Sequence, residues 1–167
     1  MNSARRHLAS LLIVASLSGC GFQLRGSTPE SRLAFASVHL DAPKGTPLER
    51  ELRDAIRQSG TQLADAKSAE VTLRVLSQAQ ERRVLTLNAQ GKVREYSLTY
   101  RVRYEVADAS NKKLLQPPEM AMQSILSYSE EQVLAKEQEE KLTYDDMRRD
   151  AVAQIMRQLT RVKPAQP

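Results

Sequence analysis

Reactive side chains are scarce in this 167-residue chain, which has one cysteine, Cys20, and two histidines, His7 and His39. A lone thiol closes no internal disulfide, and a metal site would need more soft ligands than are present. Nucleophilic catalysis needs a Cys, Ser or Thr beside a His or Lys base. His39 falls inside a short apolar run, a pattern that makes it a surface or edge imidazole. The carboxylates Glu49, Glu51, Asp54, Glu137, Glu139 and Glu140 sit in charged stretches, not in the apolar surroundings that raise a pKa for acid–base work. No phosphate loop or nucleophile elbow occurs, so the expected activity is binding without catalysis or a cofactor. Charge is what remains for that purpose. Arg82 and Arg83 lead into one predicted hairpin, Lys92 and Arg94 lead out of it, and Lys136 stands in a later acidic segment. An arginine fork and a lysine point charge both suit phosphate groups.

Cys20 has a different chemistry. Arg5, Arg6 and His7 form a basic start, Leu8 to Leu17 an apolar core too short to span a bilayer, and Ser18-Gly19 place small residues just before the cysteine. This series resembles a bacterial lipoprotein signal with its lipobox. The resemblance implies cleavage of residues 1–19, a diacylglycerol on the Cys20 thiol and an acyl group on its new amine. Two or more chains give stable anchoring, where one gives only marginal binding. Gly21 in place of Asp after the cysteine resembles the default sorted to the outer membrane, which puts the folded part on the periplasmic side. Beside such an anchor, the basic cluster suggests an anionic lipid partner.

The chain carries 25 basic against 20 acidic residues, and loss of Arg5 and Arg6 leaves 23 against 20, a net of +3. That is far from the dense positive stripe of a nucleic-acid binder, so no nucleic-acid partner is expected. Residues 20–32 read as a lipidated N-terminus with a short strand-like piece and a linker around Pro29, 33–162 as a single domain and 163–167 as a flexible tail.

The elements that must position the cations follow from periodicity. Ala34 to Leu40 is apolar enough for a strand. Thr46 as N-cap, Pro47 at the first helical position and Glu49 closing a capping box open a helix that Gly60 ends. Leu48, Leu52, Ala55 and Ile56 line its apolar face, with Glu49, Glu51 and the arginines on the solvated one. A period of two begins at Val71, lapses after Val75 and resumes from Val84 to Leu87, before a turn over Asn88 to Lys92. In the returning strand Tyr96, Leu98, Tyr100, Val102, Tyr104 and Val106 share one face. That stripe is expected to be core, with the rings packed beneath a helix. A turn over Asp108 to Lys113 leads through Pro117-Pro118 to a last strand, Met120 to Tyr128. Tyr144, Met147, Ala151, Ile155, Leu159 and Val162 then repeat at helical spacing, while Ser129 to Lys141 is either an early helix start or a mobile surface segment. The predicted fold is α+β, a two-layer sandwich of two amphipathic helices on one mainly antiparallel four-stranded sheet.

Several stretches together resemble the lipopolysaccharide-assembly lipoprotein family: the lipobox with Cys20-Gly21-Phe22-Gln23-Leu24-Arg25, Glu95-Tyr96, Leu134-Ala135-Lys136-Glu137, and Met147-Arg148-Arg149-Asp150-Ala151 leading to Arg157-Gln158-Leu159. The resemblance implies two helices on a four-stranded sheet and a 1:1 complex with a large outer-membrane β-barrel, which the lipoprotein plugs and helps assemble. It also implies contact with lipopolysaccharide through a basic residue that falls on Lys136. A second basic residue belongs at the hairpin tip, where this chain has Ala89, with Lys92 and Arg94 close by. Two other readings are a free carrier of anionic lipid, which would need an apolar cavity, and a cell-wall enzyme or its activator.

Overall fold

A computed structural model describes residues 33–117 and 119–163; Cys20, the segment 1–19 expected to be a cleaved signal, the linker to residue 32 and tail residues 164–167 lie outside the described residues. The elements are β1 (Ser37–Asp41), α1 (Pro47–Gln58), β2 (Gln62–Leu63), β3 (Val71–Leu87), β4 (Val93–Asp108), β5 (Lys113–Leu115), β6 (Met120–Ser127) and α2 (Val133–Leu159), the last preceded by a 3-10 turn over Glu130–Gln132.

Local chemistry sets α1. The Thr46 hydroxyl accepts the Glu49 N–H at 3.2 Å and donates to the Pro43 carbonyl at 2.9 Å. Pro47 stands at the first helical position, and Gly60 leaves the helix at φ 81°. The Glu49 carboxylate, expected on the solvated face, is instead only 7% exposed and bonded to Arg53, whose guanidinium holds it below the usual carboxylate range. The helix buries Leu48, Leu52 and Ile56.

The α+β two-layer arrangement expected from the periodicity is the one found. The sheet is larger and more mixed than four antiparallel strands: six strands pair, β1 lies parallel to both β2 and β3, and the β3–β4, β4–β5 and β4–β6 pairings are antiparallel. β1 is therefore an interior strand, and His39 on it is half-buried, its Nδ1 3.1 Å from the Ala64 carbonyl, not an edge imidazole. β3 is one continuous strand where the alternation predicts two pieces. The register shifts between Val75 and Ser77, so Leu76 turns outward and Gln78, Gln80, Arg82 and Val84 take over the face that Val71, Leu73 and Val75 began.

Both helices lie on that face. Leu98, Tyr100, Val102, Tyr104 and Val106 of β4 are buried beneath them, with Tyr144, Met147, Ala151, Ile155 and Leu159 of α2 on the other side of the layer. The Tyr104 hydroxyl donates to Gln158 Oε1 at 2.6 Å and that of Tyr100 to Gln78 Oε1 at 3.3 Å, so these two tyrosines are core with their polar ends satisfied. Tyr96, also expected in the core, is half-buried out on the hairpin arm. Arg148 of α2 donates to Glu51 of α1 at 2.8 Å and ties the helices together.

Candidate functional site

The long β3–β4 hairpin projects past the point where β1 stops pairing, at Arg74. Its tip is closed by Asn88, whose Oδ1 accepts the N–H groups of Gln90 (3.0 Å) and Lys92 (2.9 Å) while its own N–H donates to the Lys92 carbonyl (2.8 Å). Gly91, at φ 76°, supplies the left-handed turn that the closure requires. Lys92 is thereby held over the start of the helical segment, and its ammonium donates to Glu130 at 2.5 Å. The Arg94 carbonyl accepts the Tyr128 N–H at 2.8 Å, which fastens the end of β6 to the same place.

The acidic stretch after β6 is ordered as the 3-10 turn and the first turns of α2, so of the two alternatives for Ser129 to Lys141 the early helix start is the one adopted. Lys136 lies on those turns, donates to Glu139 at 2.7 Å, and keeps 17% of its side chain exposed. One turn further, Glu140 accepts from Arg82 at 2.9 Å. The Arg82 guanidinium also stands 4.8 Å from the centre of the Tyr96 ring, which meets Tyr128 edge-on at 5.2 Å. Glu140 raises the pKa of Arg82 and Glu130 that of Lys92, each chiefly through its hydrogen bond, so both cations stay charged throughout the physiological range.

The fold thus brings Arg82, Lys92, Arg94 and Lys136 to one end of the sandwich. Arg83 is separated from Arg82 by the strand pleat: it pairs with Ser97 on the outer face and binds Glu81 at 3.1 Å. Glu139 and Glu140, read from sequence only as carboxylates of a charged stretch, and Glu130 are the groups that neutralise these cations. Glu139 is three residues from Lys136, a spacing that could have revealed it. Glu130 is 38 residues from Lys92 and Glu140 is 58 from Arg82, so no local signal exists for either. The Lys92–Glu130 pair, with both side chains more than half exposed, stabilises by about 0–1 kcal/mol. A groove of about 480 Å³ opens beside Arg82, lined also by Gln80, Glu137, Glu140 and Tyr144 among others. Among the described residues no group of three or more His, Cys, Asp or Glu is placed to hold a metal ion, and no helix is long and apolar enough to cross a membrane.

A filled two-layer core with ion-paired cations at one end defines a compact α+β domain, and solved bacterial lipoproteins share its fold. The solution structure of lipoprotein B from Nitrosomonas europaea superposes with a TM-score of 0.72 at 36% identity, over 84% of this chain and 90% of that one. A minor lipoprotein from Acinetobacter baumannii does so at 0.65 and 28% identity, over 81% and 99%. The lipopolysaccharide-assembly family model, LptE, matches residues 35–159, and the chain belongs to that family. A protein named LPS-assembly lipoprotein LptE from Pectobacterium atrosepticum is 27% identical over 93% of this chain and 84% of its own length. One of the same name from Photorhabdus laumondii is 26% identical over 97% and 90%.

Proposed function

We propose that this protein is an outer-membrane lipoprotein, anchored by lipid on Cys20, that plugs a large β-barrel translocon as a 1:1 partner and contacts lipopolysaccharide as it passes to the outer leaflet. The observation that carries the reading is the convergence of Arg82, Lys92, Arg94 and Lys136 at the free end of the sandwich, in a chain of the lipopolysaccharide-assembly family. Lys136 and the hairpin cations are assigned to the phosphates of the lipid, with Arg83 at the margin of the site.

Placement supports the division of labour. Leu33 lies in the core beside Phe35, and Ala36 pairs with Gln62 at the end where β1 and β3 begin. The hairpin tip is at the far end of β3, so the described chain begins at the end opposite the proposed lipid contact. The polar outer face of the sheet, where Arg74, Arg101 and Arg103 alternate with Glu105 and Glu119, suits the wet lumen of a wide barrel. A carrier with an internal cavity is less well supported, because Leu98, Tyr100, Val102 and Tyr104 already fill the space beneath the helices.

The test is recovery of the tagged protein from outer membranes in gentle detergent. One large barrel protein should come with it in equal amount. Recovery of the lipoprotein alone would overturn the plug reading.

A further inference from the structure

The end of the sandwich that carries the cations also exposes apolar side chains. On β3, Val84 is 53%, Leu85 47% and Leu87 57% exposed; at the start of α2, Val133 is 38% and Leu134 78% exposed. The backbone puts them there. β3 has outrun β1, and register shifts between Val84 and Thr86 and between Thr86 and Leu87 break the alternation that would otherwise hide every second residue. α2 contributes no buried residue before Tyr144, so its first turns overhang the core. Scattered exposed leucines are ordinary, but apolar residues gathered at one end mark an interaction site.

The charges beside them narrow the occupant. Arg82, Arg83, Lys92 and Lys136 each face a carboxylate, and among the described residues Arg94 is the one candidate cation without an ion-pair partner. A purely anionic ligand must therefore displace Glu81, Glu130, Glu139 and Glu140 or bear their repulsion. An apolar chain meets no such opposition, and its burial against leucine and valine is favourable.

We infer that this end receives the acyl chains of the anionic lipid, that Val84, Leu85, Leu87, Val133 and Leu134 supply most of the affinity, and that Arg94 with the paired cations orients the phosphates. The inference rests on the lipid contact proposed above and assigns its energetics to a different set of residues.

The experiment compares two probes on the chain from residue 20 onward carrying Cys20→Ser: a diphosphorylated, acylated glucosamine disaccharide in phosphatidylcholine vesicles, and the same disaccharide with its acyl chains removed. The deacylated probe should bind at least about tenfold more weakly, since each buried methylene adds to the affinity. Raising the salt from low to about 0.5 M should change binding of the acylated probe by less than about threefold, because screening acts on the charges alone. Leu87→Ser with Leu134→Ser should weaken the acylated probe about tenfold or more. Leu142→Ser, at a 62% exposed position about 200° around α2 from buried Tyr144, should leave it unchanged. All these positions are exposed, and an unchanged circular dichroism melt verifies the fold of each variant. Equal binding of both probes with steep salt dependence, or a double variant that behaves like Leu142→Ser, overturns the inference and leaves the lipid contact standing. If wild type binds neither probe, the lipid contact itself fails, and the apolar end is left to face protein.

Discussion

Glu105 is only 6% exposed, yet it lies on the sheet face away from the helices, because Arg74 at 2.6 Å and Lys113 at 3.1 Å close over it. Lys113 first, then Arg74, hold its pKa below the usual value, as Arg53 does for Glu49. Both carboxylates are more acidic folded than unfolded. Their stabilisation is complete above the unfolded value and disappears as pH falls through the lower folded one. Tyr100 and Tyr104 behave oppositely: burial pushes both up to about 12, so their contribution is complete below pH 10 and is lost as pH rises from there toward 12. Urea midpoints measured across pH should form a plateau that falls below about pH 4.5 and again above about pH 10. Ultraviolet titration of the folded protein should show part of the tyrosine signal delayed to about 12. A midpoint that stays level from pH 5 to 3, or tyrosines that all ionise near 10, would contradict this account.

At the scale of elements, α1 and β3 show two ways in which local chemistry constrains the chain. α1 depends on its cap. Thr46→Ala removes the acceptor for the Glu49 N–H and the donor to Pro43, and should cost about 1 kcal/mol in urea unfolding. A change below about 0.3 kcal/mol would mean that packing of Leu48, Leu52 and Ile56 holds the first turn without it. β3 depends on its irregularities. The shift after Val75 sends Gln78 and Gln80 to the helix side and Leu76 to solvent, which is why the alternation reads as two fragments. Beyond that shift lies a hairpin arm with cations on both faces and apolar residues at its end. The polar and apolar parts of the candidate site thus share one origin in the overreach of β3 past β1.

For the molecule as a whole, β3 sets the length. Its 17 residues, at about 3.3 Å each, separate the base of the sandwich from the hairpin tip by about 55 Å. The first described residues, Leu33 and Phe35, lie at the base, at the opposite end of the sandwich from the hairpin tip. Ion pairs run across the outer face from Asp41 through Arg74 and Glu105 to Lys113, linking β1, β3, β4 and the edge strand β5. One core cluster includes residues from both helices and from β1, β3, β4 and β6. We propose that residues 33–162 form one folding unit, for which calorimetric and van't Hoff enthalpies should agree in a single transition. Two resolved transitions would divide the hairpin arm from the base.

Much of this was legible in the amino-acid order because it depends on near neighbours. Thr46-Pro47 with Glu49 three residues after the cap, the alternation from Tyr96 to Val106 and the three-and-four spacing from Tyr144 to Leu159 record backbone geometry that repeats every two or 3.6 residues. They were sufficient for the element types, the β4 core stripe and the two-layer class. What depended on distant residues was not legible. The parallel pairing of β1 with β2 and β3 runs over only two and four residue pairs, and so short a match reads the same in either orientation. The burial of Glu49 and Glu105 depends on guanidinium and ammonium groups that neutralise them, and only the Glu49–Arg53 spacing is local. The partners of Lys92 and Arg82 lie 38 and 58 residues away, and a register shift of one residue decided which apolar side chains of β3 face water. Tertiary structure alone decides such matters, because pairing and packing energies are set by which surfaces meet, and a local pattern specifies a surface without naming its partner.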